Sequence, residues 1–281
     1  MVKKEVFGYD AGYDFIKAVA GEDQDKWISF PSVYTHPGTT NISKFKQFSQ
    51  EKFNKDNILI EYQGEKYYIG DIVKNKLFGN EGNRDLKDDK YRLPSEKAKF
   101  FATIALLFDE EEITINNLVL GLPIEIYNNH VDNCKSNFEY KNFNFRYDNK
   151  SVVLHIERVF VIPQSLGAYF HNIFNFKGEQ LVSNNNNVYG IVDIGGRTTD
   201  GSIVTNQEIV PDQDWGINSG VFTECYQTLS REIGVPANKI QNQYLQNNYP
   251  FKYDNEVHNI ERPLKRKFNT LAEKIESSIR K

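Results

Sequence analysis

Apolar residues along this chain switch between two periods, and the switch points mark its elements. Alternation at strand period predicts strands over 6–9 and 15–20, joined by the turn Asp10-Ala11-Gly12-Tyr13-Asp14. Acid and glycine between β-branched and aromatic runs are the ordinary signal of a hairpin. A third strand is expected over 27–30 and stops at Pro31-Ser32. The stretch 35–55 is polar and rich in Asn and Lys, and reads as a mobile surface loop. A second hairpin is expected from 58–62 and 66–69 around Gln63-Gly64-Glu65, and the charged stretch 83–92 reads as a solvated loop.

Helical period begins at Ser95, a good N-cap, and carries the chain through 97–108. A buried strand is expected over 117–123, and polar/apolar alternation over 139–162 suggests a meander ending in Val159-Phe160-Val161-Ile162. Pro163 marks the change to a helix opening at Gln164-Ser165-Leu166-Gly167-Ala168. The polar loop 184–187 leads to a strand over 188–193, the turn Gly195-Gly196 and a returning strand over 201–204. A helix over 219–233 stops at Gly234, and a last helix spans 263–279. Strands alternating with helices predict an α/β architecture.

Composition narrows the classes. The 281 residues suffice for one large domain or two ordinary ones with a core, and 39% hydrophobic against 26% charged residues describes a globular chain rather than a disordered one. No apolar run approaches the roughly 20 residues that cross a bilayer, and Met1-Val2-Lys3-Lys4-Glu5 leads into a strand without a secretory leader. No membrane partner is expected. A net charge of −4 gives no global electrostatic reason to hold nucleic acid directly. Two thiols, Cys134 and Cys225, fit a reducing, cytoplasmic location. The histidines show no zinc-binding spacing. The basic cluster 262–267 reads as a solvated helix start, and the aromatic alternation over 138–147 as a half-buried strand.

Candidate chemistry lies in two turns built alike. Asp10-x-Gly12 and Asp193-x-Gly195-Gly196 each set an acid at a strand end before a glycine turn and a second strand. Glycine lets backbone N–H groups approach phosphate oxygens. A carboxylate repels phosphate directly, but it can hold hydrated Mg²⁺, which bridges to phosphates. Lys17 can reach back to neutralise a phosphate, and Thr198 and Thr199 add hydroxyl donors. Either turn alone is equally the turn of an ordinary hairpin; the order of the pieces separates the readings.

That order resembles the actin/sugar-kinase/heat-shock-chaperone ATPase superfamily. Its first phosphate motif is similar to 8–17, its connecting motif to Ile162-Pro163-Gln164-Ser165-Leu166-Gly167-Ala168, and its second phosphate motif to 191–200. Phe30-Pro31-Ser32-Val33, Tyr67-Tyr68-Ile69-Gly70-Asp71, Val119-Leu120-Gly121-Leu122-Pro123 and Trp215-Gly216-Ile217-Asn218-Ser219-Gly220-Val221 resemble the plasmid-segregating actins of the ParM type. The resemblance implies an α/β, two-lobed actin-like fold, each lobe a mixed sheet flanked by helices, with the nucleotide cleft between. The expected lobes are 1–163 and 164–281, the second lacking the family's C-terminal adenine-binding segment, so base selectivity between ATP and GTP stays open.

Carried over residue by residue, Asp10 and Asp193 would hold Mg²⁺ through water, with Gly12, Tyr13 and Lys17 on the phosphates. Gly195, Gly196, Thr198 and Thr199 would clamp them from the other lobe, and Gln164 would orient the attacking water. The resemblance implies slow, assembly-coupled hydrolysis of ATP or GTP, self-association into filaments, and a DNA-binding adaptor protein linking them to a plasmid. Two alternatives are a small-molecule kinase of the same superfamily, disfavoured by an amide at Gln164 where a carboxylate base is needed, and a non-polymerising interaction module with a degenerate nucleotide site. Asp14 and Arg197 depart from the family pattern. Asp14 hinders phosphate unless it points away, and Arg197 is expected to face solvent.

Overall fold

The computed structural model describes residues 2–21, 26–37, 53–73, 82–85, 87–175, 177–181 and 187–280. Most of the loop expected over 35–55, and 184–186 of the polar loop expected over 184–187, lie outside them. The first hairpin forms as the alternation requires, from β1 (Val2–Ala11) and β2 (Phe15–Ala20), and β3 (Trp27–Pro31) adds antiparallel to β2. Next come β4 (Tyr34–Thr35) and the hairpin β5 (Ile58–Tyr62) and β6 (Glu65–Ile69). After α1 (Pro94–Leu107), β7 (Glu112–Leu122) runs parallel to β1 and places Gly8 beside Val119. Helix α2 (Ile124–Ser136) precedes β8 (Lys141–Tyr147) and β9 (Lys150–Pro163). These strands make one mixed sheet in the order β3-β2-β1-β7-β9-β8-β5-β6-β4.

Three local readings change. Helix α1 is capped by Leu93 with Pro94 in its first turn, not by Ser95; proline needs no N–H there, and the Ser95 hydroxyl donates instead to Asp85 Oδ1 at 3.0 Å. The alternation over 139–162 is a single hairpin whose turn residues Asp148 and Asn149 both take left-handed φ, as a two-residue hairpin turn requires. The stretch 83–92 is no solvated loop, since Asp85, Lys90 and Tyr91 are buried. Helix α2 has no counterpart among the expected elements, because its one buried side chain, Cys134, leaves little apolar pattern to read.

The core forms where α1 crosses the large sheet. Phe100 meets Tyr9 at 5.0 Å between ring centroids, and Phe101 stacks on Phe145 at 4.6 Å. An ionic cluster is sealed within it. Lys99 contacts both Asp85 and Glu96 at 2.8 Å, and Tyr9 Oη donates to Glu96 at 2.8 Å.

Helix α3 (Gln164–Ile173) leads to a second sheet of β10 (Val188–Ile194), β11 (Thr199–Thr205) and β12 (Glu208–Ile217), antiparallel throughout rather than mixed. Tyr169 and Ile173 of α3 pack with Val204 on one face of it. The helix expected over 219–233 opens as a π-helical turn, Val221–Tyr226, continues as α4 (Gln227–Ile233) and ends at left-handed Gly234. Helix α5 (Ala237–Leu245), the short hairpin β13 (Phe251–Tyr253) and β14 (Glu256–His258), and α6 (Glu261–Ile279) complete the chain. Leu229, Ile240, Leu264 and Leu271 join these helices in a second core. Among the described residues, no helix is long and apolar enough to cross a membrane.

Removing Lys99 leaves two buried carboxylates without their cation, a change that costs about 3–5 kcal/mol. Lys99→Met is therefore expected to lower unfolding stability by that amount in urea titration. A loss under about 1 kcal/mol would show that Asp85 and Glu96 do not depend on it.

Candidate functional site

Strand alternation decides where Asp10 points. Phe7, Tyr9 and Ala11 of β1 are buried towards α1, which turns Gly8 and Asp10 to the opposite face of the sheet. Antiparallel pairing sets Lys17 across from Asp10, and its Nζ donates to Asp10 Oδ2 at 3.1 Å. The other carboxylate oxygen accepts from Gln164 Nε2 at 3.0 Å. Gln164 is the first residue of α3 after the Pro163 cap, so the end of β9 delivers it directly to the site. The neighbouring Gly121 makes room, for a Cβ there would lie 2.8 Å from Gln164 Cγ. Asp193, near the end of β10, comes from the small sheet.

Asp10, Lys17, Gln164 and Asp193 line one cavity of about 620 Å³, with Trp27, Val119 and Ile162 among its apolar walls. The Asp10 carboxylate holds the Lys17 ammonium above the usual lysine range, against the effect of burial. Burial first, and Asp10 second, push the Asp193 carboxyl up. A carboxylate whose charge is destabilised by burial and by a neighbouring carboxylate invites a cation. Among the described residues, no group of three or more His, Cys, Asp or Glu could hold a metal ion. Mg²⁺ needs no such group, since it keeps several waters and takes one or two carboxylates plus phosphate oxygens, so the donor pair fits it.

The lining of this cavity does not include Gly12, Tyr13, Gly195, Gly196, Thr198 or Thr199. Gly12 closes the first turn tightly; a Cβ would fall 2.3 Å from the Phe15 carbonyl oxygen. The Gly195 N–H donates to the Thr198 carbonyl at 2.9 Å, and the carbonyls of Gly195 and Gly196 accept the N–H groups of Val221 and Phe222. The second turn is thereby fixed on the opening of the π-helical segment. Thr198 donates its hydroxyl to Asp200 Oδ2 at 3.2 Å. Thr199 is fully buried, with its hydroxyl on the Ser219 carbonyl at 2.7 Å.

Both departures from the family pattern have partners. Asp14 points away from the cavity, accepting from Gln241 Nε2 at 2.7 Å and pairing with Arg84 at 3.1 Å. Arg197 does not face solvent as expected. It donates to Tyr13 Oη at 2.9 Å and to Asp88 at 3.0 Å, and its guanidinium lies 4.9 Å from the Tyr13 ring centroid. Lys90 approaches the same ring to 4.0 Å and donates to the Ala11 carbonyl. Arg84, Asp88, Lys90 and Gln241 carried no motif in the sequence; the charge of 83–92 was the one visible signal of the first three, and Gln241 had none.

Asp200 is a further participant. Its Oδ1 accepts the N–H of Ile124, the first residue of α2, at 3.2 Å. The carboxylate thus caps a helix of the large-sheet side from the small sheet. Burial, aided by Asp193, pushes its pKa up to about 6, against the hydrogen bonds from Thr198 and Ile124.

In comparisons with solved structures, the chain is similar to a non-polymerisable quadruple mutant of pCBH ParM, at 18% identity and TM-score 0.73, covering 99% of this chain and 83% of that one. Ta0583, an archaeal actin homologue in complex with ADP, matches at 19% identity and TM-score 0.71, over 100% of this chain and 81% of that one. A 15-stranded ParM filament from Clostridium botulinum matches at 18% and 0.71, over 99% and 84%. No curated protein matches in sequence. The fold is the actin-like one. The chain belongs to the actin-like proteins, whose N-terminal domain model matches residues 8–167.

A carboxyl raised in the fold keeps its proton where the unfolded chain has lost it. Asp200 therefore favours the folded state at acid pH and withdraws that support as pH rises from the ordinary aspartate range through about 6. Asp200→Asn is expected to flatten this fall, measured as melting temperature between pH 4 and 7. An unchanged pH profile would remove the assignment.

Proposed function

We propose that this chain is a nucleotide-dependent, filament-forming actin-like protein that slowly hydrolyses ATP, or GTP, to drive segregation of DNA such as a plasmid. The observation that carries the reading is the hydrogen-bonded row Lys17–Asp10–Gln164 with Asp193 in the same cavity. These residues come from separate stretches of chain and share one cavity, which supports reading them as the metal and water site. The ADP bound by the archaeal actin homologue and the filament built by ParM chains support it further.

In this reading the lobes are 1–163 and 164–281, parting at the junction of β9 and α3. Asp10 and Asp193 would hold Mg²⁺, which would supply positive charge against the β- and γ-phosphates. Lys17, paired here with the Asp10 carboxylate, would supply a cation to phosphate oxygens. Gln164 holds its amide at Asp10 and presents it to the attacking water. An amide orients water but takes no proton strongly, which suits slow turnover coupled to assembly. Gly12, Tyr13, Gly195 and Gly196 would contact the phosphates as a clamp from the two turns, the Gly195 N–H only on leaving the Thr198 carbonyl that it meets here. Thr198 and Thr199 support the clamp from behind through Asp200 and Ser219 rather than by direct contact. Net charge of −4 favours reaching DNA through an adaptor protein, in the cytoplasm, where buried free Cys134 and Cys225 stay reduced.

Sedimentation and phosphate release, followed together with Mg-ATP, Mg-GTP or no nucleotide, test the reading. Nucleotide-dependent pellets followed by phosphate are expected; phosphate released only on adding an acceptor would instead identify a kinase. Asp193→Ala should abolish nucleotide-driven assembly. Gln164→Ala should keep assembly and slow phosphate release about tenfold or more; normal release in that variant would remove its role.

A further inference from the structure

The two glycine turns meet almost backbone to backbone. A Cβ on Gly196 would lie 2.8 Å from Asp14 Cβ and 3.3 Å from its amide nitrogen. Two arginines cross this contact in opposite directions. Arg84, from the large-sheet side, donates to the Tyr13 carbonyl at 2.7 Å and pairs with Asp14 at 3.1 Å. Its other terminal nitrogen reaches Asn238 Oδ1 at 2.9 Å, and the guanidinium lies 4.2 Å from the Phe222 ring centroid. One buried cation thus touches the first turn, α5 and the π-helical turn together. Gln241 of α5 closes the same link on Asp14. Arg197 runs the other way, from the second turn to the Tyr13 hydroxyl and Asp88.

We infer that Arg84 and Arg197 are positioning residues that latch the two turns together and set how fast the cleft opens, and so how fast nucleotide leaves. The last clause rests on the nucleotide-binding reading above; the latch itself does not. Both arms are anchored beside Asp85 and Lys90, which are tied back to α1 by Asp85 on Lys99 and to the sheet by Lys90 on the Ala11 carbonyl. The latch is not fully satisfied. Arg84 Nε and Gln241 Oε1 are buried without a hydrogen-bond partner, and such atoms carry a penalty that opening to water relieves. An interaction that is tight yet incompletely paired suits a contact that must release.

Arg197 and Asp88 are partly exposed, so their variants test the outer arm with the fold intact. Arg197→Ala, Asp88→Ala and the double variant are compared by two measurements. In hydrogen exchange without nucleotide, both turns, 10–14 and 195–198, should exchange faster in Arg197→Ala while α1 keeps its protection. In stopped flow, release of fluorescent ADP should speed up about fivefold or more. The double variant should add little beyond Arg197→Ala, since the two residues share one bond. Arg84→Gln should loosen the same two turns through the inner arm.

Unchanged exchange at the turns in both arginine variants overturns the latch, whether or not nucleotide binds. Faster exchange with unchanged ADP release overturns its control of release. If the wild-type chain binds no fluorescent nucleotide, the functional reading fails, and the exchange comparison still decides the latch.

Discussion

The chemistry of this molecule depends on two hairpin turns approaching more closely than side chains allow. Gly196 faces Asp14 with no room for a Cβ, and Gly220 packs so tightly under the second turn that a Cβ would sit 2.5 Å from the Gly195 carbonyl oxygen. Glycine is required at Gly220 by contact with backbone and at Gly196 by the Asp14 Cβ, neither of which can move aside as the far end of a flexible side chain can. With the turns in contact, Asp10 near the end of β1 and Asp193 near the end of β10 face a common cavity.

Around that contact, polarity is distributed by strand alternation. One residue step along β1 separates Tyr9, hydrogen-bonded into a sealed ionic cluster, from Asp10, open to the cavity. The buried cluster of Lys99, Asp85 and Glu96 adds little net stability for its cost of desolvation. Its geometric effect is larger, because it fastens Asp85 to α1, and Arg84, Asp88 and Lys90 stand near it behind the first turn. Asp200 does the same from the small sheet by capping α2. Structural charges and candidate catalytic charges are thus neighbours with different tasks, and burial distinguishes them. Lys99 is 1% exposed and fully paired, whereas Lys17 is 64% exposed and free to exchange Asp10 for another anion.

Sequence periodicity sufficed for the first hairpin, the hairpin of β5 and β6, and the last helix, because each buries a regular apolar stripe. The opening acid of each phosphate-type turn was legible as well, since acid and glycine at a strand end restrict what a turn can hold. Helix α2 escaped because a weakly buried helix shows little periodicity, and β12 because its burial pattern is irregular. The charged stretch 83–92 misled for a related reason. Charge normally signals solvent, and only partners distant in sequence, Asp14, Lys99 and Tyr13, make its burial affordable.

By itself the sequence determined the alternating elements, the two glycine turns and the candidate acids Asp10 and Asp193 with Lys17. These are local facts, set by period, turn chemistry and residue type. Gln164 joined them only through the resemblance of its flanking motif. Tertiary structure alone decided that Arg197 lies on Tyr13, that Asp14 turns to Arg84 and Gln241, and that Thr199 turns to Ser219. Each of those outcomes is a choice among partners for a polar group. Such a choice follows from which surfaces the two cores bring together, over separations of up to 227 positions, and no local pattern encodes it.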